Sequence, residues 1–149
     1  MDANIKQLVI ESVNESKKES VETFRNLLQY PYHQDTKFVI LEIRGDGGYF
    51  GINVSAMASW EKQLLENAYG EPSLLLDGFL FQADSKLDCS VFEDDDMIDE
   101  IDNFVKDYLV TFLQECFNDA GGKLSKIPYY LYYPNTGAAY DLLSEKWLE

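Results

Sequence analysis

Glu93-Asp94-Asp95-Asp96, with Asp99, Glu100 and Asp102 close behind, is the run in this 149-residue chain whose residue types first invite metal chemistry. A calcium loop of the EF-hand kind needs oxygen ligands at positions 1, 3 and 5, glycine at 6 and glutamate at 12. Counted from Asp94, position 5 is Ile98 and position 6 is Asp99, so the pattern fails. His33 is the sole histidine, and the two cysteines, Cys89 and Cys116, are not spaced with it for a zinc site. No metal and no cofactor is expected.

Nucleophilic catalysis fares no better. A serine or Cys89 beside His33 would need a context such as the Gly-x-Ser-x-Gly elbow, which the chain lacks. Cys116 falls on an apolar helical stripe and reads as packing. Gly45-Asp46-Gly47-Gly48 lacks the Gly-Lys-Ser/Thr ending of a phosphate loop and is read as a hairpin turn. Carboxylate pairs for glycoside chemistry occur in any acidic protein, so a small hydrolase using Asp and Glu stands only as an alternative. The expectation is a protein that is not an enzyme.

The acid run explains itself partly as helix capping, since an N-cap aspartate and first-turn acids each stabilise a helix N-terminus. One cap suffices, however, and Asp107 lies beyond the first turn. Residues 71–122 carry fourteen of the chain's 27 acids against only Lys86 and Lys106, so this segment holds most of the net charge of −15. A block of one sign steers an oppositely charged partner and repels nucleic acid and anionic lipid. On a helical wheel Asp96, Asp99, Glu100 and Asp107 fall opposite the apolar positions, which makes them a solvent-facing acidic surface.

The elements that must position these residues follow from periodicity. Ile5, Leu8, Val9 and Val13, then Val21, Phe24, Leu27 and Leu28, keep helical spacing, with residues 14–20 either an exposed turn or a break, and Pro31 ends the helix. Lys37–Arg44 and Tyr49–Ser55 read as a β-hairpin. Ser59–Tyr69 reads as a short helix, and Leu74–Ala83 and Leu87–Phe92 as two strands. Met97, Ile98, Ile101, Phe104, Val105, Tyr108, Leu109, Phe112, Leu113 and Cys116 form one stripe, predicting a long amphipathic helix near 96–119. Ile127–Tyr133 reads as a strand, with Pro128 at its start or on an edge. A last helix is expected to carry Tyr140, Leu143 and Trp147. The sum is a single α+β domain over 1–149, an antiparallel or mixed sheet of about five strands with helices packed on it.

Alternation along 129–133 puts Tyr129, Leu131 and Tyr133 on one side and Tyr130 and Tyr132 on the other. Tyrosine suits interfaces because it joins a large contact area to a polar tip. A small, strongly acidic α+β chain without catalytic motif resembles the immunity proteins of bacterial toxin–immunity pairs, which bind and neutralise a cognate and often basic toxin domain. The resemblance covers the whole chain in kind and rests on no signature motif. It implies that Glu93, Asp94, Asp95, Asp96, Asp99, Glu100 and Asp107 pair with Lys and Arg of a basic partner protein, with Tyr130 and Tyr132 as aromatic anchors beside them. The alternative in the binding class is a DNA mimic or regulatory module using the same face. The N-terminus shows no secretory signal and no apolar run approaches membrane-spanning length, so the expectation is a cytoplasmic protein with no nucleic-acid or membrane partner.

Overall fold

The computed structural model describes residues 1–46, 48–70 and 79–148. Among them are three α-helices and a mixed, open sheet of seven strands, two more than the sequence led us to expect. Helix α1 (Ala3–Asn14) starts on Asp2, whose carboxylate accepts from the Ile5 amide at 2.8 Å. The chain breaks at Glu15-Ser16, and α2 (Lys17–Gln29) then runs to the residues before Pro31.

Strands β1 (Phe38–Asp46) and β2 (Tyr49–Ser59) form the expected antiparallel hairpin, longer than foreseen. Gly45 has φ +135°, and a Cβ there would lie 2.3 Å from the Tyr49 carbonyl oxygen, so only glycine fits where the two strands meet. On the far side of β2, β3 (Lys62–Leu64) pairs near one end and β4 (Phe79–Gln82) near the other. After the long helix α3 (Asp95–Asp119), β5 (Tyr129–Tyr133) returns to lie parallel to β1. Antiparallel β6 (Ala138–Asp141) and β7 (Lys146–Trp147) extend the sheet outward from β5.

Three sequence readings are corrected. Ser59–Tyr69 is not a helix: β2 continues through Ser59, its register shifts between Met57 and Ser59, and the chain turns at Trp60-Glu61 into β3. Helix propensity at residues 61–65 is a weak preference of tenths of a kcal/mol each, which tertiary context overrides; here Trp60 packs on Phe38, ring centroids 4.8 Å apart. Leu87–Phe92 is not a strand, because Asp88 accepts from the Ser90 amide at 2.9 Å and initiates a 3-10 turn over Cys89–Glu93. The last helix is a strand–turn–strand: Asp141 accepts from the Leu143 amide at 2.9 Å and the Ser144 hydroxyl at 2.8 Å, and Glu145 takes φ 59°. Of the strand expected over 74–83, residues 79–82 are β4, while 74–78 lie outside the described residues.

All three helices cover one face of the sheet. Val9 and Val13 from α1, Phe24 from α2, and Ile101, Val105, Leu109, Phe112, Leu113, Cys116 and Phe117 from α3 share one cluster with the sheet. Val39, Leu41, Ile43, Phe50, Ile52, Val54, Phe79, Phe81, Tyr129 and Leu131 are among its sheet members. Aromatic rings tie the layers together: Phe24 meets Phe79 at 4.9 Å, and Phe112 stands edge-on to Phe81 at 5.7 Å. Cys89 is exposed and Cys116 buried, and they are unpaired. No helix of the described residues is long and apolar enough to cross a membrane.

Candidate functional site

At 25 residues α3 is about 37 Å long at ~1.5 Å per residue. Asp94 is its N-cap, accepting from the Asp96 amide at 2.9 Å, and Asp95 and Asp96 occupy the first turn. Glu93, Asp94, Asp95, Asp96, Asp99, Glu100 and Asp107 are all exposed, spread over roughly 20 Å of helix. They do not have equal freedom. Glu100 holds the Met1 amino group at 2.8 Å, whereas the other six form no ion pair among the described residues.

Asp102 leaves this face altogether. Its carboxylate is buried beside Ile101 and reaches the hairpin turn, where the Gly48 amide donates to Oδ1 at 3.4 Å. The sequence signal was its place next to Ile101 and three residues before Val105, at the margin of the apolar stripe. Lys106 interrupts the acids near Asp107, and both line a cleft of about 340 Å³ with Asn103, Tyr133, Thr136 and Trp147. Within it the Tyr133 hydroxyl donates to the Lys106 carbonyl at 2.6 Å. Burial pushes the Tyr133 phenol well above its ordinary range, and the Asp107 charge adds to the effect. Further down the helix Lys17 bridges Glu115 and Asp119 at 3.7 and 3.8 Å, so the unneutralised carboxylates concentrate in the N-terminal half.

Tyr130 and Tyr132 lie elsewhere. They point to the sheet face opposite the helices, where they pack on Phe38, Ile40 and Met57. The expectation that they stand beside the α3 carboxylates is therefore corrected: the sheet separates the two groups. The cause is that α3 packs on the Tyr129, Leu131 and Tyr133 side of β5. Trp60, overlooked in the sequence because a helix was expected there, joins the tyrosines and stacks on Tyr130 at 5.5 Å and 9°.

No protein-family model, curated protein or solved structure matches this chain. Among the described residues no group of three or more His, Cys, Asp or Glu side chains converges to hold a metal ion. The imidazole of His33 is engaged locally, its Nδ1 accepting from the Asp35 amide at 3.1 Å. Burial raises the Cys116 thiol to about 12, which keeps it protonated and unreactive at neutral pH.

Proposed function

We propose that this protein is a binding protein of the immunity type, which neutralises a basic toxin domain by occluding it with the acidic face of α3. The observation that carries the reading is the row of exposed carboxylates, Glu93, Asp94, Asp95, Asp96, Asp99 and Asp107, without ion pairs among the described residues. Capping accounts for Asp94 and dipole pairing for its two successors, while Asp99 and Asp107 serve neither purpose. Carboxylates on a rigid helix keep their spacing as a partner approaches. Their summed field accelerates encounter with lysine and arginine, and helix packing on the opposite side leaves the fold indifferent to their loss.

The test is association kinetics against the basic toxin domain that this reading expects in the adjacent coding sequence, at about 0.1 M and 1 M salt, where the Debye length is ~10 and ~3 Å. Asp95, Asp96, Asp99 and Asp107 are replaced together by Asn, sparing Glu100 because it anchors the Met1 amino group. The variant should associate several-fold more slowly at low salt and converge with wild type at high salt. Equal rates at low salt would remove the acidic face from the mechanism.

A further inference from the structure

Phe38, Ile40 and Met57 are less than one-tenth exposed although none of the helices covers their side of the sheet. Their cover is aromatic and comes from the strands: Tyr130 and Tyr132 from β5, and Trp60 from the turn after β2. Phe38 contacts Trp60 at 4.8 Å and Tyr130 at 5.2 Å, and Trp60 reaches Tyr132 at 6.2 Å. Trp60 rests one face of its indole on Tyr130 and is 50% exposed, which turns the other face to solvent.

Carboxylates flank the rings on both sides. In the strand register Glu42 of β1 is opposite Tyr132, and Asp141 of β6 is opposite Tyr130, a cross-strand spacing of about 5 Å between Cβ atoms. Glu42 already holds the Arg44 guanidinium, so this face accommodates one such group. Asp141 forms no ion pair among the described residues, not even with Lys146, its register partner in β7. Its oxygens accept one hydrogen bond each, from the Leu143 amide and the Ser144 hydroxyl, and a carboxylate oxygen has a second lone pair for a guanidinium. Ring faces bordered by carboxylate are the surroundings that favour a guanidinium. It is planar, weakly hydrated, and stacks on indole while donating hydrogen bonds from its edge. A second copy of the chain is disfavoured as occupant, because each copy carries a net charge of −15.

We propose that the sheet face left without a helix among the described residues is a second contact surface, on which Trp60, Tyr130 and Asp141 receive an arginine side chain from a basic protein segment. This rests on the reading of a basic partner and adds a site on the opposite side of the sheet from α3. A partner engaging both surfaces must wrap around the sheet edge or present two separate segments.

The test uses Trp147→Phe, which leaves Trp60 as the remaining one of the chain's two tryptophans. The probe is a short peptide of alternating glycine and arginine, compared with the same peptide carrying neutral citrulline. The arginine peptide should change Trp60 emission saturably and the citrulline peptide should not. By calorimetry, Trp60→Leu and Tyr130→Ala should each weaken binding about fivefold, with circular dichroism confirming that both fold. Trp60→Leu alters an exposed ring, so it tests the site even if Tyr130→Ala unfolds.

Silent Trp60 emission while calorimetry reports binding would overturn the proposal, as would an equal response to citrulline. Emission that shifts with protein concentration alone would instead assign the face to a second copy. Adding the α3 substitutions separates the two readings. A Trp60 response with affinity unchanged by those substitutions retains this site whatever the toxin kinetics return for the acidic face; weakened binding with Trp60 silent overturns this site and leaves the acidic face standing.

Discussion

Cys116→Ala should flatten the alkaline limb of the stability curve. The thiol is fully buried on α3, and burial raises it from its ordinary value of 9.0 to about 12. An unfolded chain exposes the same thiol, which then loses its proton near 9. Between these values the unfolded state binds fewer protons, so stability is intact below pH 9 and declines as pH rises toward 12. Each pH unit inside the window costs about 1.4 kcal/mol. Integrated between pH 8 and 10, this one thiol removes roughly 1.3 kcal/mol, a sizeable share of a typical ~5–15 kcal/mol. Tyr129 follows one unit later, its buried phenol pushed from 10.0 to about 12, and contributes little below pH 10. Urea unfolding of wild type and Cys116→Ala at pH 8, 9 and 10 separates the effects, because cavity loss lowers the variant's curve by a constant amount. The wild-type curve should fall by roughly 1.3 kcal/mol more than that of the variant. Parallel curves would show that the thiol ionises in the folded protein as it does in the unfolded chain, and that the packing around it is open to water.

Two further outcomes concern the scaffold. Leu109→Ala and Phe112→Ala, both fully buried, should each cost roughly 2–5 kcal/mol in equilibrium unfolding; losses below about 0.5 kcal/mol at both positions would show that α3 is not a core helix. Gly45→Ala places a Cβ 2.3 Å from the Tyr49 carbonyl oxygen at φ +135°, and should lower the thermal midpoint by several degrees for a loss of about 2 kcal/mol. An unchanged midpoint would mean that the β1–β2 hairpin tolerates a side chain where its strands meet.

The legible parts of the fold were those with a long repeat. The stripe from Met97 to Cys116 placed α3 to within a residue, and alternation through Phe50, Ile52 and Val54 placed the start of β2 and its pairing with β1, though not the last four residues of the strand. Strands β6 and β7 are four and two residues long, too short for a period to emerge. Tyr140, Leu143 and Trp147 imitate a helical face only because a turn separates them. The parallel pairing of β1 with β5 leaves no local trace, since it depends on how α3 crosses the sheet. The same limit governs the surfaces. Exposure of Asp96, Asp99 and Asp107 followed from the helical wheel, and the outward turn of Tyr130 and Tyr132 from strand alternation. Which sheet face the three helices cover, and that Trp60 lies over the other, depends on tertiary packing.

The placement of β5 has a consequence for synthesis. β1 ends at residue 46, and its central neighbour begins at residue 129. At about 5–20 residues per second, a ribosome needs roughly 4–17 seconds to make the intervening chain. For that interval Val39, Leu41 and Ile43 sit on an unpaired edge, in a segment able to recruit another strand. Pairings this distant in sequence also make folding slow. The nascent hairpin is thus the point at which a crowded cell has its best chance of diverting this protein into aggregates, and where a chaperone that shields strand edges would act.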